Sequence, residues 1–272
     1  MNRTLSPQKR TFIILLIVCI SIFTLLNIQA FSQIKSDLSD LDNSIMLALN
    51  YDGNPITDMF WFTISKNLAW VPLGITLLVS LACFRKDWYI PILIVVGLAL
   101  VITISDQISS SLIKPYFERF RPSHNPDICD MLHYVNNYKG GSYGFVSSHA
   151  ANAFGVFAFL VTDIRHTYAK IILFIWSCMV AYSRIYLGVH YPGDIVCGAI
   201  LGATVGVGVG LLIKHLYSVI NRRGKNIIPS IRQRYNVKSM PIAAIVLATS
   251  IFLYAYSLNR YVPFIFYEIM TF

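Results

Sequence analysis

The chain has 272 residues, 56% of them hydrophobic and 13% charged, with a mean hydropathy of +0.59. A water-soluble domain carries about 25% charged residues, so this composition argues for an integral membrane protein. The formal net charge of +9 sits mostly in short loops between apolar runs, with no basic arm or nucleic-acid-binding motif, which argues against nucleic acid as a partner.

The first apolar run, residues 11–26, follows Arg3, Lys9 and Arg10. It is long for the core of a signal peptide and reads as a retained first span. Residues 32–66 are polar and acidic, with Leu38, Leu41, Ile45 and Leu49 at helical spacing and an apolar group after Gly53-Asn54-Pro55. They predict short helices lying at the membrane interface. Further spans are expected at about residues 68–84, 88–104 (running on through Ser105, Asp106 and three serines to Lys114), 145–162, 171–187, 195–213 and 241–258, each near the ~20 residues that cross a bilayer. Within the 195–213 span, Gly198, Gly202, Gly206 and Gly210 recur every four residues, a stripe that lets another helix approach closely. The fold expected is an all-α polytopic bundle of six core spans plus an extra C-terminal span, one domain over 1–272. Its parts are a first span (1–31), an interfacial segment (32–66), a core (67–214) and a basic loop with the last span (215–272). Of the cysteines, Cys19, Cys83, Cys178 and Cys197 lie in apolar runs and Cys129 in a loop, without a CxxC pair, so they read as packing residues.

With a cytoplasmic N-terminus, 14 of the 22 cations fall on the inner side, as the positive-inside rule expects. Lys35, Lys66, Lys114, Arg119, Arg121, Lys139, Arg184 and Arg260 fall on the outer side. Three polar islands share that face: Lys114 to Arg121-Pro122, Ser147-Ser148-His149, and Ser183-Arg184 through His190 to Asp194. Ionisable groups at such depth are costly without a function or a partner.

Together the islands hold what hydrolysis of a phosphate ester needs. Lys114, Arg121 and Arg184 are cations for the non-bridging oxygens, although each alone fits a side chain snorkelling to the interface. His149, at a helix start where free N–H groups favour an anion, suits a nucleophile that forms a phosphohistidine. Ser147 also suits a helix cap. His190 and Asp194, four apart, suit an acid–base pair, with Asp194 raising the basicity of the imidazole. Asp194 also suits a helix N-cap or a partner for His149, and the sequence does not decide between these.

The three motifs resemble those of the type-2 phosphatidic acid phosphatase (PAP2) superfamily, which is related to vanadium haloperoxidases. The family pattern is K-x6-R-P, then P-S-G-H, then S-R-x5-H-x3-D. Lys114 to Arg121-Pro122 matches the first and Ser183-Arg184 through His190 to Asp194 matches the third. In the middle motif Ser147 and His149 fit, while Val146 replaces Pro and Ser148 replaces Gly. The resemblance covers about residues 100–214. It implies His149 as nucleophile, His190 with Asp194 as acid–base pair, and Lys114, Arg121, Ser147, Ser148 and Arg184 as phosphate ligands. It also implies no metal or other cofactor. A metal reading of His124-x2-Asp127-x2-Asp130-x2-His133 is the weaker alternative to a plain polar loop. In the 123–145 loop, Tyr138 to Gly144 reads as a mobile cover and Lys139 as a possible substrate contact.

The expected activity is removal of phosphate from a lipid at the outer face of a bacterial inner membrane. The resemblance is to enzymes of lipid A phosphates, undecaprenyl diphosphate or phosphatidylglycerol phosphate. The expected partners are the lipid phosphate substrate and the membrane, with no obligate protein partner. The rival expectation is a lipid-phosphate binder or transporter without turnover.

Overall fold

The computed structural model describes residues 37–66, 89–164 and 167–223. The spans expected at 11–26, 68–84 and 241–258 lie outside the described residues. The chain divides into two compact units after Ile45. In the first, the described residues 37–45 are helical, with Leu38 and Leu41 exposed. Everything that follows concerns the second.

Among the described residues regular structure is helical, with one isolated antiparallel bridge, Phe120 to Tyr143. The helix over residues 37–49 is α1, and α2 is Pro55–Ser65. Asn54 caps α2 by accepting from the Thr57 amide at 2.9 Å, and Pro55 suits the first turn, where no amide partner is needed. Next come α3, Tyr89–Phe117, α4, Ser148–Val161, α5, Thr167–Tyr186, and α6, Pro192–Arg223. By length and apolar composition α3, α5 and α6 (to Ile220) suffice to cross a bilayer, while α4 is shorter.

The α3 helix runs on past residue 104 toward Lys114, as expected. It passes through Asp106 and the serines by opening into a π-helical turn at Ile108–Ile113, then resumes as Lys114–Phe117. Ser109 and Ser110 bond Ser148 at 2.9 and 3.0 Å, so the polar stretch is satisfied from outside the helix instead of ending it. The run stops at Glu118, whose φ of 45° turns the chain out of the helix.

The glycine stripe does what its spacing predicts. A Cβ on Gly202 would stand 1.9 Å from the Ala151 carbonyl oxygen, and one on Gly206 would stand 2.2 Å from that of Gly155. Thus α6 lies with its backbone against α4, an approach no larger residue permits. Val101, Phe159, Leu173, Val209 and Ile213 fill one core where α3, α4, α5 and α6 meet. Ile64, Ala153, Trp176 and Val180 seat α2 on α4 and α5. This packing brings the start of α4, the end of α5 and the start of α6 to the same end of the bundle.

Candidate active site

At that end α4 begins with Ser147 as its cap. The Ser147 hydroxyl accepts from the Ala150 amide at 3.4 Å, and its own amide donates to the Asp194 carbonyl at 3.0 Å. The second and third islands are therefore stitched together through the main chain. Ser147 is fully buried and its hydroxyl oxygen caps the helix, the alternative role the sequence also suited.

Ser148 opens the helix and its hydroxyl gathers three polar partners. Lys114 Nζ reaches its Oγ at 2.8 Å, alongside Ser109 and Ser110. The serine in place of glycine is thus the anchor that holds Lys114 at the site. His149 follows, hydrogen-bonded to the backbone of Ser65 at the end of α2. Ser65 also accepts from Arg184 Nη1 through its hydroxyl. Arg184 Nη2 donates to the Tyr138 hydroxyl at 3.4 Å. Its Nε is buried with no hydrogen-bond partner among the described residues, and the residue is only 3% exposed. A buried guanidinium with an unused N–H is a donor prepared for an anion.

Arg121 comes from the extended segment after α3. Its Nε donates to the Tyr143 carbonyl at 3.1 Å and Nη1 to the Val189 carbonyl at 3.4 Å. Gly144 makes room: a Cβ there would lie 2.9 Å from Asp194 Oδ2 and 3.1 Å from Arg121 Cγ. Burial and then the neighbouring Arg184 charge pull the Arg121 pKa downward, a sign that the two guanidiniums share one enclosure.

His190 lies in the turn between α5 and α6 and is 1% exposed. Its Nδ1 faces Asp194 Oδ2 at 3.4 Å, and the same carboxylate oxygen accepts from the Tyr191 amide at 3.1 Å. The sequence left open which histidine Asp194 serves; it serves His190. The other carboxylate oxygen accepts from Arg119 Nη1 at 2.9 Å. Burial, followed by the charges of Arg121, Arg184, Lys114 and His149, holds the His190 pKa well below the ordinary imidazole range. That combination places both histidines and all three expected cations around one small volume, with His190 neutral at physiological pH.

Tyr138 belongs to the same enclosure. Burial alone would raise its phenol, but the charge and hydrogen bond of Arg184, with Arg121 and Lys66 behind, bring it below the usual value. The Lys139 ammonium lies over the Tyr134 ring at 5.2 Å, while its neighbour Tyr138 meets Arg184. The histidine–aspartate series of the loop does not assemble a metal site. His133 Nδ1 meets Asp52 at 3.0 Å and Nε2 meets Asp58 at 2.9 Å, while His124 bonds Ser123. Ser65, Ser109, Ser110, Arg119 and Tyr138 are site residues that motif spacing did not reveal.

The enclosure is cationic, almost closed to water, and furnished with two imidazoles, one of them held by a carboxylate. It suits a tetrahedral anion that undergoes attack and protonation. Comparison with known proteins agrees. The family model described as PAP2 superfamily matches residues 88–218. Over 167 residues the chain is 40% identical to a lipid A 4'-phosphatase of Bacteroides thetaiotaomicron, covering 61% of this chain and 73% of that protein. It is 37% identical, also over 167 residues, to a lipid A 4'-phosphatase of Porphyromonas gingivalis, covering 61% and 70%. Among solved structures, the fold is shared with a transmembrane PAP2-type phosphatidylglycerolphosphate phosphatase from Bacillus subtilis. The TM-score is 0.51 at 24% identity, over 75% of this chain and 97% of that one.

Proposed function

The chain belongs to the PAP2 superfamily, and from that premise we propose that this membrane-embedded lipid phosphatase removes a phosphate from lipid A. The lipid A reading is supported by the two relatives at 40% and 37% identity. An undecaprenyl-diphosphatase of Sulfolobus acidocaldarius stands further off, at 25%. The site faces the periplasm in this reading, because the cation bias puts the loops carrying the islands outside.

The observation that carries the mechanism is the grip of Asp194 on His190 Nδ1. It keeps the proton on Nδ1 and leaves the Nε2 lone pair for phosphorus, while the depressed pKa keeps that lone pair free at neutral pH. His190 Nε2 attacks phosphorus in line, the phosphorus–oxygen bond to the lipid breaks, and the leaving oxygen takes a proton from His149, which acquires that proton as the substrate's negative charge enters the cationic site. The phosphoryl group then sits on His190 Nε2. Water attacks phosphorus and gives its proton to His149, the phosphorus–nitrogen bond breaks, and inorganic phosphate leaves. Arg121, Arg184 and Lys114 hold the three non-bridging oxygens throughout. The roles of the two histidines are thereby exchanged relative to the sequence expectation, because the activating carboxylate belongs to His190.

Two substrates separate these roles. With a lipid phosphate, both His149→Ala and His190→Ala lose turnover. With p-nitrophenyl phosphate, whose leaving group needs no proton, His149→Ala recovers a burst of nitrophenol and His190→Ala does not. A burst in His190→Ala and none in His149→Ala would restore the original assignment.

A further inference from the structure

We infer that Arg119 is a positioning residue for the reaction: it fixes the Asp194 carboxylate so that the carboxylate can fix His190. The inference rests on the reading of His190 and Asp194 given above and adds a residue that the three motifs do not include.

The geometry begins with the backbone. After the left-handed turn at Glu118, residues 119–121 run antiparallel to residues 142–144. The Gly144 amide donates to the Arg119 carbonyl at 2.8 Å, the Arg121 amide donates to the Ser142 carbonyl at 3.0 Å, and Phe120 bridges to Tyr143. In an extended segment alternate side chains share a face. Phe120 is therefore turned out, 53% exposed, while Arg119 and Arg121 both point toward the turn that carries His190. The two arginines then take different tasks. Arg121 meets main-chain carbonyls and keeps N–H groups for an anion. Arg119 meets the fully buried Asp194 at 2.9 Å, with its guanidinium 4.3 Å over the Tyr191 ring. Tyr191 is itself held by Asn125, which donates to its hydroxyl at 2.8 Å.

A carboxylate with one oxygen on Arg119 and the other on the Tyr191 amide and His190 Nδ1 has its plane set from both sides. Without Arg119 the carboxylate loses the guanidinium that holds its second oxygen, its plane is less firmly set, and the imidazole loses its fixed approach to phosphorus. Misplacement of a catalytic group by about 1 Å costs on the order of 100-fold in rate.

The test is a double-mutant cycle on the purified full chain in detergent, measuring kcat, KM and inhibition by orthovanadate. Arg119→Gln is expected to lower kcat by about 10- to 100-fold with little change in vanadate affinity. Arg119→Lys, which keeps the charge, is expected to recover part of that loss. In an Asp194→Asn background, Arg119→Gln should cost almost nothing further, because the group it positions is gone. A vanadate affinity that falls in step with kcat, or losses that add fully in the double variant, would overturn the inference and make Arg119 a phosphate ligand. If Asp194→Asn alone leaves kcat unchanged, the underlying reading of His190 fails instead. Should Arg119→Gln not be recovered folded, the cycle is run with Arg119→Lys against Asp194→Glu under the same criteria.

Discussion

Two histidines of this protein sit in opposite electrostatic surroundings. His133 lies between two carboxylates, Asp52 at 3.0 Å and Asp58 at 2.9 Å. Around it Asn50 accepts from the His133 amide at 2.7 Å and donates to the Tyr186 carbonyl at 2.7 Å, and the Tyr186 hydroxyl donates to Asp58 at 2.6 Å. Every charge there has a partner, and the result is a clamp that ties the 123–145 loop to the segment before α2 and to the end of α5. His190 has one carboxylate, and that carboxylate is shared with Arg119, while Lys114, Arg121 and Arg184 press on the same space. The contrast teaches how to tell a structural histidine from a reactive one. The first has both ring nitrogens taken up by fixed carboxylate partners; the second shares one carboxylate and faces an excess of positive charge that an incoming anion would offset.

The sharpest way to break the comparison is to remove each imidazole in turn. His190→Ala is expected to lower kcat by about 10⁴-fold, the scale seen when a nucleophilic dyad is dismantled. His133→Ala is expected to leave kcat near the parent value. Next in size is Arg184→Lys. A lysine cannot reproduce the fork that spans Ser65, Tyr138 and a phosphate oxygen, so kcat/KM should fall by about 10²- to 10³-fold.

A third test needs no turnover. A site crowded with like charges should be stabilised by its anion. Phosphate or vanadate at 100 times its Kd should therefore raise unfolding free energy by about 2.7 kcal/mol. Arg184→Lys should weaken that shift, and His133→Ala should keep it in full. Smaller still is the cost of His133→Ala itself. Asp52 is largely exposed and contributes little, so the loss through Asp58 amounts to about 1 kcal/mol in a thermal or chemical melt.

The smallest expected effect is on pH dependence. A depressed pKa means that the free enzyme keeps His190 neutral as pH falls past the ordinary imidazole value of about 6.5. After allowance for the substrate's own ionisation, the acid-side fall of kcat/KM should come only below that value, while the proton that His149 must carry sets the alkaline side. An acid-side break at the ordinary imidazole value would contradict the cationic enclosure.

What the sequence revealed follows from how local each feature is. Lys114, Arg121, Arg184, His149, His190 and Asp194 were legible because each stands at a short fixed spacing inside a motif that sits at a helix end. The α6 glycine stripe was legible for the same reason. Arg119 was not, because its aim depends on the pairing of residues 119–121 with 142–144, which no local pattern announces. Ser65 was hidden by distance along the chain, since α2 reaches the site only by packing on α4 and α5. Ser109 and Ser110 read only as the polar continuation of a span; a π-helical turn aims them at Ser148. The three-residue spacing from His124 to His133 allowed a metal reading as the weaker alternative to a polar loop. The loop is instead a chain of short 3-10 turns, with left-handed residues at Asn136 and Asn137, and keeps no common face.

The measurement closest to the centre of the account is the location of the phosphoryl group during turnover. Wild-type protein and His149→Ala are mixed with a labelled lipid phosphate, quenched in alkali, where phosphohistidine survives, and digested for mass spectrometry. Label on the peptide carrying His190, accumulating in His149→Ala and absent from His190→Ala, is the result expected. Label on His149, or turnover by His190→Ala at the parent rate, would contradict it.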